Sequence, residues 1–254
     1  MKLKLNIRKE IKIAAALVGV TFLIAFTERK QGGSLCNNVV VELDNLNENH
    51  FLDERDVMRL VENSGQTIKG TSITRINLKA IESKLMMDKH IRDAELYGDL
   101  KGNLIVSVDL RRPIARLVQE DGPDAYLSEE GIVMGVSDKF TSRVMIISGR
   151  WAKAVMEKGN VYEMEGGKEL MDMIDFINED RFWKAQIAQM DIDARGEMVI
   201  YPQVTGQRVE FGTTENYETK LSNLMVFYKD VLPQKGWTRY ERVNLKYNGQ
   251  VIAQ

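Results

Sequence analysis

The run "IAAALVGVTFLIAF", Ile13 to Phe26, is apolar apart from Thr21, and Lys2, Lys4, Arg8, Lys9 and Lys12 precede it. Such a segment does not stay in water, so everything after it must fold on the side to which it is delivered. Only Arg29 and Lys30 follow closely, beside Glu28. An excess of cations before an apolar helix keeps the N-terminus in the cytoplasm. The pattern predicts a cytoplasmic tail over 1–12, a transmembrane anchor over 13–27 and an extracytoplasmic remainder, hence a single-pass protein of the cytoplasmic (inner) membrane. As a helix, 14 residues rise about 21 Å, short of a hydrocarbon core of ~30 Å. Snorkelling of Lys12 brings Ile11 and Ile7 into play on the inner side. A cleaved signal peptide is the alternative, because its apolar region has this length. The charge and bulk of "TERKQ", where a cleavage site wants small residues, favour the anchor.

Past the anchor the chain has the makeup of a folded globule. Of the 254 residues, 28% are charged and 44% hydrophobic, ordinary values for a soluble domain. A net charge of −2 and a pI near 5.9 argue against nucleic acid as a partner, since phosphate neutralisation needs a basic face. Cys36 is the only cysteine, which excludes an intramolecular disulfide or a thiolate metal cluster. His50 and His90 are far apart and read as structural.

Catalytic patterns are missing. "GQTIKGTS", Gly65 to Ser72, resembles a phosphate loop, but Thr71 stands where the phosphate-reaching lysine belongs and the loop follows a helix. G-x-S-x-G, H-E-x-x-H and C-x-x-C are absent from the sequence. The acid pairs Glu129–Glu130, Glu179–Asp180 and Asp191–Asp193 read as solvated surface, the last sharing one face of a strand. Trp151, Trp183 and Trp237 read as core. The expectation is a protein with no catalytic residues, metal, cofactor or small-molecule substrate.

Periodicity divides the rest. A polar linker over 28–38 holds Gly32-Gly33. "VVVELDNL" reads as a strand. "LDERDVMRLVEN" is an amphipathic helix capped by Asp53, with Val57, Leu60 and Val61 on one face. "NLKAIESKLMMD" is a second helix, with Leu78, Ile81 and Leu85 in register. Two strands follow, parted by Lys101-Gly102. This β-α-α-β-β order over 39–112 is a small α+β domain. From 113 to 254 short strands dominate, with a helix in "KELMDMIDFINED" and a long one in "TENYETKLSNLMVFYKDVL". Leu221, Leu224, Met225 and Tyr228 form the apolar stripe of the long helix. Ala194-Arg195-Gly196 is a turn between strands. The expected fold class is α+β, the second domain being mostly antiparallel with covering helices.

The chain closes on "RVNLKYNGQVIA". Val243, Leu245 and Tyr247 alternate with Asn244 and Lys246, the period of a half-buried strand, and Asn248-Gly249 signals a hairpin. It carries no acid, thiol or imidazole. If it lies at a sheet edge, its free backbone groups are a place for a partner strand to add; if it closes the fold, it is core. The candidate partner-binding residues are Val243, Leu245, Lys246, Tyr247, Gln250 and Val251.

In order and spacing the extracytoplasmic part resembles the FtsQ/DivIB family of bitopic cell-division proteins. "GTSITRINLKAIESKL" is similar to the family's loop and second POTRA helix. "HIRDAELYGDLKGNLIVSVDLRRPIARL" is similar to its closing strands and proline-containing exit into the β domain, and "YLSEEGIVM" to its strand turn. "FGTTENYETKLSNLMVFYKDVLPQKGWTRYERVNLKY" is similar to its last helix and final strands. The resemblance implies a POTRA domain over 39–112, a β domain over 113–254, and a non-catalytic scaffold at the division septum. It also implies FtsB- and FtsL-like bitopic partners, an acid on the partner for Lys246, and Tyr247 in the same interface. Two other readings compete: a POTRA component of an envelope export or assembly machine, for which one repeat and no barrel is too little, and a periplasmic hydrolase.

Overall fold

The computed structural model describes residues 14, 16–21, 35–44, 50–247 and 249–254. Most of the expected anchor lies outside the described residues. Within it, 14 and 16–21 are helical, with Leu17, Val18 and Val20 exposed. Among the described residues no helix is long and apolar enough to cross a membrane. The chain divides into two units, one of Met1–Asp44 and Asp53–Asp109, the other of Asn45–Leu52 and Leu110–Gln254.

The first unit follows the predicted order. Strand β1 is Asn38–Asp44, helix α1 Glu54–Glu62, helix α2 Leu78–Leu85, strand β2 Ile91–Gly98 and strand β3 Asn103–Leu110. Asp53 starts α1 as a capping box: its carboxylate accepts the Asp56 N–H at 2.9 Å, and the Asp56 carboxylate accepts the Asp53 N–H at 3.0 Å. Val57 and Val61 of α1 are buried, as are Ile81 and Leu85 of α2. β3 lies between the other strands, parallel to β1. The Gly65–Ser72 loop has a structural job: Cys36 donates its N–H to the Thr71 carbonyl, and Gly70 donates to the Cys36 carbonyl, both at 2.8 Å.

The second unit is built on one sheet. Its strands are β4 Pro113–Leu117, β5 Ala125–Ser128, β6 Val133–Gly135, β7 Met145–Ser148, β8 Ile187–Ile192, β9 Met198–Pro202, β10 Arg208–Gly212, β11 Arg242–Asn244 and β12 Ile252–Ala253. They are ordered β12-β11-β10-β9-β8-β7-β4-β5-β6. Five pairings are antiparallel and three, β4–β7, β7–β8 and β10–β11, are parallel. The sheet is therefore more mixed than the alternating strands predict. Parallel neighbours need a long crossover, and helices supply two of them. Helices α3 (Arg150–Lys158), α4 (Gly167–Glu179) and α5 (Arg181–Gln186) link β7 to β8. Sequence periodicity finds α4 but misses α3, whose buried Trp151, Ala152 and Val155 make a narrow face in a short segment.

The β10–β11 crossover is the predicted long helix, with one irregularity. It runs as α6 (Tyr217–Val226), a π turn (Phe227–Val231) and α7 (Leu232–Lys235). Pro233 has no N–H to donate, and its ring would crowd the carbonyl four residues back, so the turn before it widens. The extra residue brings both Phe227 and Tyr228 to the core beside Leu221, Leu224 and Leu232. A smaller cluster of the same unit buries Phe51, Tyr126 and Met134, the Phe51 and Tyr126 rings 4.9 Å apart. Trp151 and Trp183 are core as expected. Trp237 is not; it is 47% exposed.

Candidate partner-binding edge

The end of the chain is a short hairpin whose outer arm is the edge of the large sheet. β11 lies parallel to β10, with Val209 opposite Val243, and antiparallel to β12, with Asn244 opposite Ile252. The final strand as read from the sequence is therefore not itself the edge. It ends at Asn244, one strand inside, and β12 covers its outer side. The backbone bonds fix which groups remain available. Leu245 donates to the Glu210 carbonyl at 2.9 Å, so odd residues of β11 serve β10. Arg242 and Gln254 exchange both bonds, at 3.1 and 2.9 Å. Ile252 and Gln254 therefore face β11, and the N–H and C=O groups of Val251 and Ala253 point outward. Among the described residues nothing pairs with them.

The six candidate residues separate by burial. Val243 (0% exposed) and Leu245 (2%) are core side chains. They seat the hairpin on the sheet and present no side chain outward, because alternate positions of β11 face the main core. Tyr247 is 59% exposed, Lys246 and Gln250 are exposed, and Val251 is half-buried. Lys246 is ion-paired with Glu197, and its N–H is held by the Asn244 side chain at 2.9 Å. Asn244 also donates to Glu210 at 3.0 Å. The Arg242 guanidinium, 2.7 Å from Glu210, holds that carboxyl below its usual range against the opposing effect of burial.

Two hollows flank this segment. One, of about 370 Å³, is polar and includes Lys246, Tyr247 and Gln250 with Glu197, Asn216 and Lys220. Lys220 lies over the Phe211 ring, 5.0 Å from its centroid, and burial lowers its pKa. The other, of about 390 Å³, is mostly apolar, lined by Val226, Phe227, Val231, Tyr240, Val251 and Ala253 beside Asn223. Sequence reasoning missed this second hollow. Its walls come from the π turn and from Tyr240, whose ring is 5.7 Å from Phe227, and neither carries a periodic signal.

Three of the acids singled out in the sequence have structural roles. Asp191 accepts the Ser148 hydroxyl at 2.7 Å. Asp193 closes the β8–β9 turn, accepting N–H bonds from Arg195 and Glu197 at 2.7 and 3.0 Å; these amides lower its pKa. Asp180 caps α5. His90 bonds Asp88 at 2.9 Å, and His50 meets Phe140 edge-on. A wider hollow of about 1150 Å³ is lined by Glu129, Asp175 and Glu179 together with Arg112, Arg143 and Lys184. Burial, then Glu179, Glu129 and Asp172, raise the Asp175 pKa. Among the described residues no three His, Cys, Asp or Glu side chains are grouped to hold a metal ion.

A β-α-α-β-β unit with its first strand parallel to its last, followed by a large mixed sheet, defines a POTRA-containing α+β protein. A POTRA-like domain profile matches residues 34–109. The profile described as "FtsQ/DivIB, C-terminal related" matches 112–254, more than half of the chain, and the chain belongs to the FtsQ/DivIB family of cell-division proteins. That family is generally one of septum-associated, non-enzymatic scaffolds. A search of curated proteins finds no match to the chain.

Proposed function

We propose that the protein is a non-catalytic divisome scaffold, held in the cytoplasmic membrane by its N-terminal helix, with tail, anchor, linker, POTRA domain and β domain dividing at 12, 27, 38 and 112. It recruits FtsB- and FtsL-like bitopic partners at the septum through the β12 edge. The observation that carries this reading is the outward row of Val251 and Ala253 backbone groups beside an apolar hollow. A partner segment adds to β12 as a further strand, and its apolar side chains enter the hollow. One backbone hydrogen bond contributes only ~0.5–1.5 kcal/mol net, so the side chains must supply much of the affinity and the specificity. Tyr247 offers apolar contact, Gln250 hydrogen bonding, and Lys246 exchanges Glu197 for an acid on the partner. Val243 and Leu245 hold the hairpin in place from below. The exposed apolar side chains of Leu17, Val18 and Val20 suit lipid contact.

A photocrosslinker placed at Tyr247 or Ile252, used in dividing cells, tests the assignment. Small bitopic coiled-coil proteins are the expected adducts. Adducts dominated by outer-membrane assembly or export components would favour the export-machine reading instead.

A further inference from the structure

We propose that the outer edge of β1, in the POTRA-like unit, is a second docking edge, and that it takes an extended segment of a partner protein in which apolar residues alternate with lysine or arginine. The three-stranded sheet has two edges, β1 and β2, and they are treated differently. On β2, Asp99 donates its N–H to the Asn103 carbonyl at 2.9 Å, so odd positions serve β3 and even ones face out. Two of these outward N–H groups are taken by carboxylates: Leu96 donates to Glu82 at 3.1 Å and Ala94 to Asp93 at 2.9 Å. An edge occupied in this way is closed to strand addition.

β1 has no such cover. Because Asn103 bonds toward β2, Leu104, Val106 and Val108 bond toward β1. With Val39 opposite Leu104 in a parallel register, these three bond the even residues of β1. The N–H and C=O groups of Val39, Val41 and Leu43 therefore point outward. The loop that pairs with Cys36 reaches no farther along the strand. Among the described residues nothing bonds the outward groups of these three.

The side chains define the occupant. Val39, Val41 and Leu43 are half-buried on one face, while Asn38, Val40, Glu42 and Asp44 are exposed on the other. Among the described residues neither Glu42 nor Asp44 forms a salt bridge. An added strand would set apolar residues beside Val39, Val41 and Leu43, and its alternate positions beside two uncompensated acids. Opposite charges directly across a strand pair attract and like charges repel, so the edge selects a basic segment. A second copy of β1 in parallel register would place Glu42 against Glu42 and Asp44 against Asp44.

The test is amide hydrogen exchange on the full chain, with a ten-residue peptide alternating valine and lysine as the probe and a valine–glutamate peptide as its counterpart. Exchange at Val39, Val41 and Leu43 is expected to slow by about tenfold or more with the lysine peptide and to stay unchanged with the glutamate one. The already bonded Val40 and Glu42 amides serve as internal controls. The double variant E42K/D44K, altered only at exposed positions, is expected to reverse the preference. Protection at Arg92, Ala94 and Leu96 instead, no protection at either edge, or equal protection by both peptides would overturn the proposal. So would slow, concentration-dependent exchange at β1 in the peptide-free protein, which would assign the edge to a second copy.

Discussion

Asn244 faces Ile252 across the last ladder of the large sheet, and that pairing leaves β12, not β11, at the edge of the sheet. β11 is enclosed between β10 and β12, so the proposed recruitment uses the two residues of β12, with the exposed Lys246–Tyr247 turn beside them.

Leu224 tests the packing beneath it. The residue is 1% exposed and sits in the main core, on the α6 face that covers the sheet. Leu224→Ala is expected to cost ~2–5 kcal/mol by chemical denaturation. A loss near zero would mean that this face is not buried as described.

Tyr228 gives a pH signature. Its hydroxyl faces Thr205 and Gln186, yet it forms no hydrogen bond of good geometry, and burial pushes its pKa up to about 12. A folded pKa above the unfolded value of about 10 means that the folded state holds the proton longer. Stability is therefore lost as pH rises from about 10 toward 12. Tyr228→Phe is expected to change stability at pH 7 by less than about 1 kcal/mol and to flatten that alkaline decline. An unchanged alkaline profile in the variant would contradict the assignment.

Lys246 separates binding from folding. Its pair with Glu197 is largely exposed, and such pairs contribute ~0–1 kcal/mol. Lys246→Glu is expected to leave the unfolding midpoint nearly unchanged. It should weaken partner capture by about tenfold or more, since it sets like charge against the acid proposed on the partner. A variant that captures partner normally would remove Lys246 from the interface.

What the sequence reveals depends on how local the cause is. The Asp53 cap, the Val57–Val61 and Ile81–Leu85 faces and the Asp193–Glu197 turn are set by neighbours a few residues away, and all are readable. The parallel pairing of β10 with β11 is not, because it depends on a crossover of some thirty residues whose return point no local pattern marks. That pairing is what moves the edge from β11 to β12 and turns Val243 and Leu245 from contact residues into core. The apolar hollow was hidden for a similar reason. Its wall exists because Pro233 forces a π turn that presents Phe227, and helical periodicity does not anticipate an extra residue. Residue type alone reads Trp237 as core, and type does not fix position.

The most direct test of the recruitment edge compares two prolines in β12. At Ala253 a proline removes an N–H that points outward; at Ile252 it removes one that bonds β11. In the full chain, Ala253→Pro is expected to keep the wild-type unfolding transition and to lose co-purification of FtsB- and FtsL-like partners, whereas Ile252→Pro loosens the hairpin itself. If Ala253→Pro folds normally and captures those partners as well as wild type does, strand addition at β12 is not how this protein recruits them.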